Sequence, residues 1–199
     1  GEYLALTGTV LNGKEAITAG LADGHIDSGR LPGLWASFAQ TPFENGASVE
    51  RWCASHLSTT VMPATWPVKD VDRVFALPDA VQIIQALEAT DSDWARATAS
   101  TLRQRSPLML HVVLEQIRRA RGMGLADDLR MERNMVHHCF HLRPGAASET
   151  VEGIRALAVD KDHEPRWNPA RIEEVNPAQV AVFFESPWTP EKHPLRALG

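Results

Sequence analysis

The chain has 199 residues, 44% of them hydrophobic and 23% charged, enough apolar material to bury a core and too much for a disordered chain. Its formal charge of -5 offers no net basic field to a phosphate backbone, and no run of Lys and Arg is interleaved with aromatics, so no nucleic-acid partner is expected. The apolar stretches fall short of the roughly 20 residues of a membrane span and no charged-then-apolar leader opens the chain, so the expectation is a soluble protein without a membrane partner.

Read in chain order, "GEYLALTG" places Tyr3, Leu4 and Leu6 at helical spacing and stops at Thr7-Gly8, as if the sequence were entered mid-element. A second helix runs through Lys14-Glu15-Ala16 and ends at Gly20. Gly24-His25-Ile26-Asp27 reads as the one short strand. Residues 29–78 are punctuated by Gly, Pro and Ser and carry Trp35, Phe38, Phe43, Trp52 and Trp66; they read as an irregular, aromatic-rich insertion with a helix near 47–57.

From Asp79 the pattern is helical. Asp79 is an expected N-cap for a helix carrying Val81, Ile84 and Leu87, and "TDSD" (90–93) ends that helix and caps one from about Trp94 to Arg105. Ser106-Pro107 opens another with Leu108, Met109, Val112, Val113 and Ile117 as its apolar set, because Pro at the first helical position is preset for helix. Gly122-Met123-Gly124 leads into a helix over about 125–142, Ser148 caps one through Val159, and Asn176-Pro177 starts the last, with Val180, Phe183 and Phe184 on its apolar side. The fold class expected is mainly α: residues 1–28 as the end of a preceding core, 29–78 as the insertion, 79–199 as a C-terminal helical domain.

Few constellations carry chemistry. His137 and His141, at i and i+4 in "HHCFH", share a helical face able to grip a metal, but a hydrolytic zinc site also needs a placed carboxylate and a third ligand, which the sequence does not specify. Histidines favoured near a helix C-terminus are the plainer reading, so no metal site is assigned. Glu132 falls on the face bearing Leu125, Leu129, Val136 and Cys139; turned inward it would be a general base or, more simply, an internal ion pair, with Arg155 as the expected partner. "SPLMLHVVLEQIRR" (106–119) is amphipathic and reads as core packing. Ser58-Thr59-Thr60 and Ser106 supply hydroxyls without a GxSxG elbow or a Gly-rich phosphate loop, so they carry no covalent catalysis. Cys53 and Cys139 are too few for a disulfide framework and suit a reducing compartment, with the cytoplasm as the default location.

The most ordered signal is "EGIRALAVDKDHEPRWNP", residues 152–169. Glu152, Gly153, Arg155, Ala156, Asp160, Lys161, Asp162, Pro165, Trp167 and Pro169 resemble, in order, the C-terminal segment of 3-hydroxyisobutyryl-CoA hydrolases, a branch of the crotonase (enoyl-CoA hydratase/isomerase) superfamily. "YLALTG" with Gly13 and Ala19-Gly20-Leu21-Ala22 is similar to a superfamily passage, as are Ser106-Pro107 with Leu114 and Gln116-Ile117, and Arg130-Met131-Glu132. Two stretches depart from the pattern, Asp23-Gly24-His25 and the long approach "HLRPGAASETVEG".

Such a resemblance implies the helical C-terminal part of a ββα-spiral fold and a thioester hydrolase of valine breakdown, with coenzyme A as part of the substrate and no separate cofactor. In the family a thioester carbonyl is polarised by backbone N–H groups and a Glu works on water or the acyl group. Those positions precede the family's "YLALTG", so the resemblance transfers no catalytic residue here. It implies that the acyl-CoA is met through an N-terminal half, in the same polypeptide or a second chain, that a homo-oligomer is an option, and that the setting is cytoplasmic in bacteria or mitochondrial in eukaryotes. The alternatives are part of an enoyl-CoA hydratase/isomerase and a non-catalytic helical docking or oligomerisation module. Within the corner itself, Lys161 is expected to serve the last helix carbonyls or to touch coenzyme A phosphates; Asp160 and Asp162 accept from turn N–H groups or pair with Arg155; Pro165 stops the helix and Trp167 anchors the tail.

Overall fold

A computed structural model describes residues 1–60 and 63–199, which form two compact units: residues 10–69, and residues 1–9 together with 70–199. The sequence pattern had suggested divisions after 28 and 78. Residues 10–28 group instead with 29–69, where His25 and Ser58 exchange backbone hydrogen bonds in an isolated antiparallel bridge. That bridge is all that forms of the strand expected at 24–27. Its neighbour Gly24 is needed there, because a Cβ on it would stand 2.8 Å from that of Leu57.

The smaller unit holds α2 (Gly13–Thr18), α3 (Leu31–Gln40) and α4 (Gly46–His56). Asn12 and Asn45 close capping boxes at α2 and α4, each accepting backbone N–H bonds that the first turn leaves over. The stretch read as irregular, 29–78, thus contains α3, α4 and α5 (Val68–Phe75). The Pro and Gly that hid α3 lie in its first turn, where a missing N–H costs nothing. Its aromatics pack on one another: Phe38 meets Phe43 at 4.9 Å and Trp52 at 5.3 Å between ring centroids.

In the larger unit, α1 (Glu2–Thr7) packs on α7 (Asp93–Gln104) and α8 (Pro107–Ala120), and α6 (Ala80–Glu88) packs on α7 and α8. Gly8, at φ 70°, ends α1 in the left-handed conformation open to glycine. Asp79, Ser92 and Ser106 cap α6, α7 and α8 through their side-chain oxygens, as the sequence indicated. Two hydrophobic clusters result. One gathers Leu6, Phe75, Ile83, Ile84, Leu87, Leu102, Leu110 and Leu114; the other Leu108, Val112, Met131, Met135 and Phe183. Helix α8 lies between them, giving Leu110 and Leu114 to the first and Leu108 and Val112 to the second.

Helix α9 (Leu125–His141) is rotated from the orientation its sequence suggested. Met131, Asn134 and Met135 are buried, whereas Leu125 is 75% and Val136 52% exposed. Apolar residues stand on both faces of α9, so spacing alone does not choose the inner one. The tail begins with α11 (Pro177–Ala181), capped by Asn176, and a following turn of 3-10 helix buries Phe183.

Candidate functional site

The charged corner forms where α10 (Glu149–Ile154), capped by Ser148, widens into a π turn over Arg155–Val159 and reverses. The reversal is fixed by backbone bonds: Asp160 N–H to the Arg155 carbonyl at 2.8 Å, and His163 N–H to that of Ala156 at 3.1 Å. Lys161 and His163 sit at φ 57° and 58°, in the left-handed region that L residues with a Cβ occupy only when held there.

The guanidinium of Arg155 organises the corner. It grips Glu152 with two parallel bonds, Nε to Oε2 at 2.9 Å and Nη2 to Oε1 at 2.8 Å. Its Nη1 reaches both Asp160 and Asp162 at 2.6 Å, and Nη2 also donates to the Glu164 carbonyl at 3.1 Å. A fork of fixed donors suits this set in a way a lysine ammonium would not. Arg155 is held well above its ordinary pKa, by Glu152 first and then Asp162 and Asp160. Glu152 is pulled down to about 2, chiefly by Arg155 and then by the Arg166 backbone N–H. Asp162 is lowered by Arg155 and by the Glu164 N–H.

Two glutamates of α10 fasten the returning strand of chain. Glu152 Oε1 accepts the Arg166 N–H at 2.7 Å and Glu149 Oε1 the Asn168 N–H at 2.9 Å. The buried Glu149 also takes the Ser106 hydroxyl at 2.5 Å, so the cap of α8 and the corner share one node. Gly153 faces Trp167, whose ring edge would stand 3.3 Å from an added Cβ, and the indole N–H bonds the Gln104 carbonyl at 3.2 Å. The acid, the glycine, the arginine and the tryptophan of the sequence pattern therefore serve a single joint. Beside it opens a cleft of about 740 Å3, lined by Met109, Ile154, Leu157, His163 and Trp167 among others, a volume suited to a small molecule.

The structure separates the other residues singled out by sequence. Arg155 partners Glu152, not Glu132. Glu132 is exposed and accepts from Gln116 Nε2 at 3.2 Å, so the inward-facing carboxylate is corrected along with the rotation of α9. Lys161 is exposed and makes no hydrogen bond or ion pair among the described residues, so it does not serve the helix carbonyls; Asp160 and Asp162 do pair with Arg155. His137 and His141 stand 4.5 Å apart by ring centroid, with Trp188 4.9 Å from His137. Among the described residues no three or more His, Cys, Asp or Glu side chains group to hold a metal ion. His137 is lowered in pKa by burial first, then by His141, His138 and Arg133, and its Nδ1 is buried without a hydrogen-bond partner among the described residues. Sequence reasoning passed over Glu149 and His163. Their only sequence signals were the Ser148 cap beside Glu149 and the turn after Asp162.

A family model described as enoyl-CoA hydratase/isomerase matches residues 1–184. The chain belongs to the enoyl-CoA hydratase/isomerase family. It is 34% identical over 193 residues to an Arabidopsis thaliana protein named 3-hydroxyisobutyryl-CoA hydrolase-like protein 5, covering 93% of this chain and 49% of that one. It is also 34% identical over 192 residues to the small ribosomal subunit protein mS47 of Arabidopsis thaliana, covering 92% and 46%. The crystal structure of a carnitinyl-CoA dehydratase from Mycobacterium thermoresistibile superposes with a TM-score of 0.69 at 30% identity, over 92% of this chain and 50% of that one. The chain thus spans about half the length of the relatives it matches, and the helical part of a crotonase-like fold read from the sequence is borne out.

Proposed function

We propose that this family member is the helical portion of an acyl-CoA thioester hydrolase, and that Lys161 contributes a contact to the phosphates of the coenzyme A moiety. Polarisation of the thioester carbonyl and activation of water are assigned to the half of the relatives that this chain does not match. The 152–169 corner carries the reading: the residues that resemble the hydrolases, Glu152, Gly153, Arg155, Asp160, Asp162 and Trp167, meet in one joint, and Lys161 is exposed on it with no hydrogen bond or ion pair among the described residues. An ammonium on a tight turn beside an apolar cleft matches a ligand with an anionic head and an apolar arm.

Hydrolysis of 3-hydroxyisobutyryl-CoA should be absent from this chain alone and appear on mixing with the complementary half of a hydrolase relative. Turnover by the isolated chain would place catalytic groups within these residues and overturn the assignment.

A second reading, a helical docking module without thioester chemistry, is favoured by the ribosomal relative, whose identity equals that of the hydrolase-like one. A fold hosts more than one function, and the mixing experiment separates the two. Under the docking reading no combination of halves turns over the thioester.

A further inference from the structure

By sequence, Asp160-Lys161-Asp162 is a poor place to hold a phosphate: two carboxylates flank one ammonium and compete for it. The folded corner changes that balance. Both carboxylates turn onto Nη1 of Arg155 at 2.6 Å, and the same guanidinium is locked from its other side by the bidentate bond to Glu152. Arg166 lies near enough to Glu152 and Asp162 to lower both. Within 152–169 the cations Arg155, Lys161 and Arg166 stand against Glu152, Asp160, Asp162 and Glu164, and Arg155 binds all of these carboxylates but that of Glu164. Lys161 is exposed, and its ammonium, like the guanidinium of Arg166, makes no hydrogen bond or ion pair among the described residues.

The backbone geometry works to the same end. With Asp160 and Asp162 both bound to Arg155, Lys161 between them sits at φ 57° and is exposed. A left-handed residue with a Cβ is disfavoured and persists only where its surroundings over-determine it. Five bonds from one side chain, and the Ala156 carbonyl taking the His163 N–H, over-determine this one.

The structure assigns Arg155 as the positioning residue of an anion site: it gathers the two carboxylates that flank Lys161 and leaves the ammonium free for a phosphate group. The assignment rests on the reading of Lys161 as a coenzyme A contact and adds the residue that makes the contact effective. Arg155 itself, with its donors spent on Glu152, Asp160, Asp162 and Glu164, does not touch the ligand.

The test is calorimetric titration of the 199-residue chain with coenzyme A, with pantetheine, which lacks the phosphates, as the control. Lys161→Gln should weaken coenzyme A binding about tenfold and leave pantetheine unchanged, the loss of one charge-assisted phosphate contact. Arg155→Gln should weaken it by a similar factor, because the freed aspartates then close on Lys161. Adding Asp160→Asn and Asp162→Asn to Arg155→Gln should restore binding to within about threefold of wild type, which a general loss of folding would not do. Should Arg155→Gln fail to fold, Asp160→Asn with Asp162→Asn on the wild-type arginine still decides. Those amides still accept from Arg155, so affinity should change by less than about threefold. A tenfold gain there would mean that the carboxylates compete for the ligand site even in the presence of Arg155, and the assignment fails. It fails too if folded Arg155→Gln binds like wild type. If Lys161→Gln has no effect, or the wild-type chain takes up no coenzyme A, the phosphate-contact reading is overturned and the Arg155 assignment falls with it.

Discussion

Glu152 is a buried carboxylate that is ionised only because Arg155 and the Arg166 N–H hold it so. Its pKa is about 2 in the folded chain against an ordinary 4.5. A depressed carboxylate stabilises the fold fully above its unfolded value, and that stability is lost as pH falls from about 4.5 towards about 2. Glu152→Gln should therefore lower the melting temperature at neutral pH and flatten the acid limb of the stability curve between those values. An unchanged acid limb in a urea titration series would show that other carboxylates set it. At the next position, Gly153→Val should cost about 1–3 kcal/mol by overpacking against Trp167, measured by denaturation and accompanied by a change in tryptophan emission. At this scale the sequence was legible as a pattern of residue types, and the pairing of Arg155 with Asp160 and Asp162 followed from proximity along the chain. The Glu152 pairing did not: the sequence reading gives Arg155 to Glu132 on α9, and the packing of α9 leaves Glu132 exposed on Gln116 instead.

Helices began where the sequence said because an N-cap is local chemistry. Asp79, Ser92, Ser106, Ser148 and Asn176 each accept N–H groups within the next turn, whatever the rest of the chain does. Which face of a helix turns inward is a tertiary property, and α9 shows the difference. Leu125, Leu129 and Val136 match a buried stripe as well as Met131 and Met135 do, and only the partners on α8 and the tail decide between them. Substitution should read out that choice. Leu108→Ala, at a site with 0% exposure, should cost about 2–5 kcal/mol, whereas Leu125→Ala should stay within about 0.5 kcal/mol in the isolated chain. The end of α9 adds a pH dependence of its own. His137 is depressed below 6.5 by burial and by its cationic neighbours, so the unfolded chain binds the proton more readily than the folded one. Its contribution is present above 6.5 and is lost as pH falls from there through the lower folded value. His137→Gln should remove that slope from denaturation midpoints measured across the mildly acidic range, and an unaltered slope would assign it to another group.

The two units differ in what holds them. Residues 70–199 with 1–9 enclose two clusters with side chains such as Val74, Ile83, Leu87, Leu108 and Val112 at 0% exposure. Among the described residues of 10–69 none is buried, and the unit relies on capping boxes, one backbone bridge and the half-covered rings of Phe38, Phe43 and Trp52. Hydrophobic stabilisation scales with the apolar area removed from water, and rings left partly wet give up much of it. The smaller unit should accordingly open first, in a sub-global step that leaves the helices from α6 onward intact. Its sequence carried this information only in part: the aromatics Trp35, Phe38, Phe43, Trp52 and Trp66 offered apolar surface, but their spacing did not say that they would cover one another incompletely. Hydrogen exchange should show amides of α3 and α4 exchanging well before those of α6 and α8. In urea, the emission of variants retaining only Trp52 should change at lower denaturant than that of variants retaining only Trp94. Coincident transitions from the two tryptophans, with uniform exchange protection across α3 and α8, would mean that the 199 residues unfold as one cooperative body, and the difference in burial would then have no thermodynamic consequence.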